Sequence, residues 1–141
     1  AGNPSVYYVG TNGKRYVFPN DKIYYSWYPD FTGIVTITPE QLASFQIGGV
    51  VTYRPGTRFV KLQTDPKVYA VSHGGVLRWI STELAAQKLF GVGWMSLVDD
   101  LSDGFFSAYR VDEPLTETTY YDTVSQQQTS TTISQDKGLG L

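Results

Sequence analysis

The chain of 141 residues has no cysteine and only one histidine, His73. The first absence excludes a disulfide framework. The second leaves no other imidazole or thiolate to complete a metal site or a catalytic dyad, so His73 reads as a turn residue. Charge is also sparse, with 11 Lys and Arg against 13 Asp and Glu and a net charge of -2. No basic face of the kind that follows nucleic acid is present. No apolar run approaches the roughly 18 residues of a membrane span. The hydrophobic fraction of 41% suffices for a core, and 15% of residues are aromatic, including 11 Tyr. With many Thr, Ser and Gly, this composition suggests an exported, β-rich protein. Ala1 suits a mature N-terminus left by leader cleavage.

The clearest local signal is Asp65 to Ile80. Val68-Tyr69-Ala70-Val71 and Leu77-Arg78-Trp79-Ile80 are strand-like runs around a His73-Gly74-Gly75 turn, a β-hairpin. A second hairpin is predicted earlier, Val6–Val9 and Lys14–Phe18 around Asn12-Gly13. Asn20 or Asp21 begins a short helix that Pro29 ends. Ile34–Ile37 is a β-prone run. Thr38, Pro39 and Gln41 form a capping box with proline at the first helical position, which places Leu42, Phe45 and Ile47 inward and ends the turn at Gly48-Gly49. Strands are expected over Val50–Arg54 and Arg58–Thr64, around a Pro55-Gly56 turn. Ser81 or Thr82 caps a helix to about Phe90, and Ser102 caps a shorter one carrying Phe105, Phe106 and Tyr109.

These segments repeat. Val6, Tyr7 and Val9 correspond to Val68, Tyr69 and Val71. Arg15, Tyr16 and Val17 correspond to Arg78, Trp79 and Ile80. Trp27, Phe31, Ile34 and Val35 fall on Phe90, Trp94, Leu97 and Val98; Ile37, Thr38, Leu42, Phe45 and Ile47 fall on Leu101, Ser102, Phe106, Tyr109 and Val111. The expected fold is α+β: two pseudo-repeats, each a β-hairpin plus short helices, with an extended, β-prone C-terminal tail. Residues 1–49 form the first repeat, 50–67 the connecting strands, 68–115 the second repeat and 116–141 the tail. Phe31 and Trp94 are expected in equivalent buried sites. The pattern Val-Tyr-x-Val, Gly, Lys-Arg-x-Val, then Val-x-Ile-Thr-x-x-x-Leu-Ala-x-Phe and Gly resembles a family of tandem repeats from bacterial secreted and cell-surface proteins. Tyr53-Arg54-Pro55-Gly56-Thr57 and Asp65–Val71 resemble its two-repeat form. The resemblance covers about Val6 to Pro114, implies an extracellular or surface location, and supplies no catalytic residues.

Chemistry-bearing constellations are few. Asp99, Asp100 and Asp103 are the densest acidic group, yet their spacing is not that of a calcium loop. Glu40, Glu83 and Glu113 are too scattered for a glycosidase pair. No enzyme and no cofactor are expected. Tyr8, Tyr25 and Tyr53 fall outside the strongest repeat matches and are candidates for an exposed contact surface. In the tail, ten of the nineteen residues 116–134 are Ser or Thr, interspersed with strand formers. The strand Arg58–Thr64 can flank the second hairpin, whereas Ala1–Ser5 is too short to flank the first. The expectation is therefore a structural subunit of a secreted, self-assembling homopolymer, with a filament as one form. In it, Tyr120, Tyr121, Val124, Thr129, Thr131 and Ile133 of a tail strand would reach the edge Val6, Tyr7, Tyr8 and Val9 of a neighbour. The alternative is a cell-wall or carbohydrate-binding module.

Overall fold

The computed structural model describes residues 5–62, 64–116 and 121–139, with the backbone alone of Asp103. The chain is α+β, with two sheets. The first half opens with the hairpin β1 (Tyr7–Val9) and β2 (Arg15–Val17). Helix α1 (Asp21–Trp27) follows, begun by the Asn20 side chain accepting from the Ile23 amide, and then α2 (Pro39–Ala43). In α2, Thr38 and Gln41 exchange both hydrogen bonds of the capping box. Strand β3 (Ile47–Val50) returns parallel to β2, completing a sheet of order β1-β2-β3.

The second sheet takes in β4 (Phe59–Leu62), the hairpin β5 (Val68–Ser72) and β6 (Val76–Ile80), β7 (Val98–Leu101) and β8 (Arg110–Leu115). Its order is β7-β4-β5-β6-β8. Helix α3 (Glu83–Phe90), capped by Thr82, joins β6 to a 3-10 turn and β7. The first half runs hairpin, helix, short helix and a strand parallel to the second arm of its hairpin; the second half places β7 between two 3-10 segments before its own parallel strand, β8.

Alternation along the strands gives the second sheet two apolar faces. Val60, Tyr69, Val71, Leu77 and Leu101 pack with Tyr16, Phe18, Ile23, Val51 and Tyr53 of the first half and with Ile133 of the tail. On the other face, Phe59, Ala70, Ile80 and Leu115 pack with Ala85 and Ala86 of α3 and with Tyr121.

Several expectations are corrected. Among its described residues the tail has no strand: it forms α4 (Thr123–Thr129) and α5 (Ile133–Lys137). Local capping outweighs the β-branched composition, because Asp122 accepts from the Val124 amide and Thr132 from the Gln135 amide, each satisfying a helix donor that would otherwise be orphaned. Ile34–Ile37 is not a strand; among the described residues it has no ladder partner. Ile47 does not face inward but is 74% exposed on β3, and Gly48-Gly49 lies within that strand rather than ending a turn. The reason is the Tyr16 ring, which covers Gly48 so closely that a Cβ there would collide with it.

The strand expected over Val50–Arg54 keeps only Val50. Val51, Thr52 and Tyr53 are nevertheless buried, and side chains replace the ladder. Trp27 Nε1 donates to Thr52 O, the Tyr53 amide to the Tyr109 hydroxyl, and the Arg54 amide to Ser26 Oγ. Ser102 makes no side-chain cap to the 3-10 segment Asp103–Ala108. Phe31 is 45% exposed, unlike Trp94.

Because Ile133 is buried in the larger core, Ile133→Ala should destabilise the whole chain by about 2–5 kcal/mol. Chemical denaturation followed by tryptophan fluorescence checks this. One displaced transition is expected, rather than separate early loss of the tail.

Candidate functional site

Three places bring polar or aromatic groups together. The first is the seat of the tail at the His73 turn. The Arg54 guanidinium donates from Nε to Ser130 O and from Nη2 to Gln127 O, both at 3.0 Å, closing the C-terminal end of α4 with a cation. Ser130 Oγ donates to Asp136 Oδ1 at 2.8 Å and lies 2.7 Å from His73 Nδ1. The Gly74 amide donates to the same Asp136 oxygen at 2.8 Å. His73 thus meets a serine and an aspartate that lie close to each other but 57 or more residues from it, so the sequence shows it without partners. The arrangement does not make a nucleophile. The single proton of Ser130 goes to Asp136, so His73 must donate to Ser130 rather than accept from it. Ser130 is also fully buried. The cluster holds the tail down.

The second is the ion pair beneath β7. Asp99 is buried, with Arg58 Nε 2.7 Å from Oδ2 and Nη2 donating to Oδ1 at 2.9 Å. Lys22 Nζ approaches to 3.7 Å. A buried carboxylate needs such pairing to stay charged. Asp100 is exposed and faces Lys61 at 3.7 Å. The two aspartates therefore project to opposite sides of the strand, each toward a protein cation. The Asp103 side chain lies outside the described residues. Burial, then the charge of Asp99, raises the pKa of the Tyr53 hydroxyl. Burial likewise raises those of Tyr109 and Tyr121.

The third place is an aromatic ledge on the first half, with an open strand edge nearby. Tyr24 stacks on Phe31 at 4.6 Å, and Tyr25 and Tyr28 lie against the same group. Tyr25, Tyr28, Phe31, Ile34, Val35 and Ile37 are all substantially exposed, Val35 at 79%. Beside Tyr25 opens a cleft of about 370 Å³ lined by Lys22, Ser26, Thr57 and Arg58.

Strand β1 is an outer strand. Val6 O accepts from the Phe18 amide and the Gly10 amide donates to Lys14 O, so residues 6 and 10 face β2. By the antiparallel alternation, the main-chain groups of Tyr7 and Val9 face away from it. The other outer strands are blunted in recognised ways. Strand β8 carries Arg110, Asp112, Glu113 and Pro114. On β3, Val50 O is taken by Lys137 Nζ at 2.7 Å. Strand β7 holds two aspartates in four residues. Strand β1, Tyr-Tyr-Val, has no charge and no proline.

The residues expected at a tail contact are distributed as follows. Tyr121 and Ile133 are buried in the chain's own cores, and the Tyr121 hydroxyl donates to Val71 O. Val124 is exposed on α4, and Thr129 and Thr131 are exposed at its end. Tyr120 lies outside the described residues. Serine 134 reaches the first hairpin, with its Oγ 2.5 Å from the Tyr8 hydroxyl and accepting from the Thr11 amide at 3.3 Å. The tail therefore meets β1 as a helix of the same chain, which removes the reason for placing these residues on a neighbour. Tyr53, a candidate for an exposed contact, is fully buried, while Tyr25 is exposed and Tyr8 half-buried.

Compared with protein-family models, curated proteins and solved structures, the chain gives no match.

The raised tyrosines carry a pH consequence. A phenol whose folded-state pKa exceeds its unfolded value of 10.0 stabilises the fold fully below that value. The stabilisation is lost as pH rises above it. Stability is expected to fall above about pH 10. Tyrosinate absorbance, followed together with circular dichroism, should show a group of tyrosines ionising only as the chain unfolds.

Proposed function

We propose that the chain is a non-catalytic structural subunit of a secreted surface structure, assembling as a homopolymer through the first half of the molecule. The observation that carries this reading is the exposed apolar stretch from Tyr25 to Ile37. Exposed apolar side chains clustered in one segment mark a protein contact more often than a bare surface. An extracellular site of action is supported by the composition, which is rich in Tyr, Thr, Ser and Gly.

The second reading is a cell-wall or carbohydrate-binding module. It is favoured by the exposed rings of Tyr25 and Phe31 next to the cleft with Lys22 and Arg58. Aromatic faces offer stacking area, and the cations offer hydrogen-bond donors.

Sedimentation velocity and electron microscopy of the purified chain separate these readings. Assembly should appear without added ligand and grow with protein concentration. Val35→Asp, which places charge on an open surface, should abolish the large species while leaving the circular dichroism spectrum unchanged. A chain that remains monomeric at all concentrations and is retained on insoluble wall polysaccharide in a Tyr25-dependent manner establishes the second reading instead.

A further inference from the structure

The sheet of the second half has two strands that the first lacks, β4 and β7. In the second half, β4 lies between β5 and β7, antiparallel to the first and parallel to the second. The sequence correspondence places β1 on β5, and Ile34, Val35 and Ile37 on Leu97, Val98 and Leu101 at β7. No described strand of the first half occupies the place of β4.

Four otherwise separate features follow from that one difference. Strand β1 has an outer edge, whereas β5 is paired on both sides. Ile34–Ile37 has no ladder partner, whereas β7 pairs with β4 along its length. Val35 is largely exposed, whereas Val98 is half-buried against the second core. Phe31 is 45% exposed, whereas its counterpart Trp94 packs 6.0 Å from Phe59 of β4.

We infer that the first half is an acceptor for one added β-strand, donated by another polypeptide chain, which lies antiparallel to β1 and parallel to Ile34–Ile37. Main-chain hydrogen bonds to Tyr7 and Val9 supply sequence-independent affinity, and alternate side chains supply selectivity. The chemistry of the guest is set by β4. Phe59 lies opposite Ala70, Val60 opposite Tyr69 and Lys61 opposite Val68, so the guest residue opposite Tyr8 is large and apolar and packs on Phe31. Every second residue from there is free to be polar on the side of that apolar contact, as Lys61 is. The lack of charge on β1, where β8 and β3 are guarded, keeps this edge receptive. The inference deepens the assembly reading and rests on it only for the donor's being a neighbour in the same structure.

The test uses the intact chain and a synthetic peptide of residues 57–65, which carries the β4 sequence. Hydrogen exchange read by NMR should show protection of the Tyr7 and Val9 amides and of the 35–37 amides on adding the peptide. A peptide with aspartate in place of the phenylalanine should bind about tenfold more weakly or worse. Val9→Pro removes an outward amide without touching the bonds to β2, and Pro is tolerated on an edge strand. Val9→Lys leaves every backbone amide in place and adds charge instead. Both variants should keep the fold and lose the protection. Three results overturn the inference: no peptide-dependent protection at Tyr7 and Val9, protection of those amides in the monodisperse chain alone, or undiminished peptide binding by both variants. Self-assembly with unprotected β1 amides sinks the strand-acceptor inference but spares the assembly reading. Peptide protection in a chain that never assembles does the reverse.

Discussion

A five-stranded sheet with two apolar faces has to be covered twice, and that requirement governs the rest of this molecule. One face is served locally, by α3 with its small residues Ala85 and Ala86 close against Phe59 and Ala70. The other is served within its own half only by Phe105 and Phe106 of the 3-10 segment and by Tyr109 after it. It is closed by Ile23 of α1, by Tyr16 of β2, by the irregular Val51–Tyr53 segment and by Ile133 of the tail. The first half is thereby bound to the second through a shared interior rather than through a linker.

The irregular segment is the clearest instance of how polar groups are reconciled with that burial. After the Val51 amide bonds Val17 O, Thr52 and Tyr53 lie inside without a ladder, and Thr52 O and the Tyr53 and Arg54 amides meet side chains of Trp27, Tyr109 and Ser26. Tyrosine serves twice, giving ring area to the core and a hydroxyl to the backbone. Asp99 and Arg58 do the corresponding work for charge. These contacts make the connection between the halves specific in a way that apolar packing alone would not.

What the sequence disclosed follows the range of the physics involved. The hairpins around Asn12-Gly13 and Gly74-Gly75, the Thr38–Gln41 box and the Thr82 cap are set by neighbours within a few residues, and all are present. The helices of the tail were also locally encoded. Thr132 and Gln135 have the spacing of Thr38 and Gln41, and in both pairs the Thr hydroxyl accepts from the amide three residues on; the Thr, Tyr, Val and Ile content of the tail points instead to a strand. The Ser130, Asp136 and His73 cluster was out of reach, because it joins positions 57 residues apart. The exposure of Phe31 was equally invisible. It depends on whether a strand lies beside it, which neither residue type nor the spacing that matches Phe31 to Trp94 carries.

The tail's position orders events during biosynthesis. Ser134 touches Tyr8 across 126 residues of sequence, and Asp136 holds Gly74 across 62. Loop closures of that length are slow relative to local turns. These partners follow the hairpins in synthesis, so hairpins and helices form early while the larger core waits for Ile133. Until then the nascent chain is a string of local elements with its central sheet uncovered on one face. Such a chain gains the stability of its larger core only once Ile133 has docked.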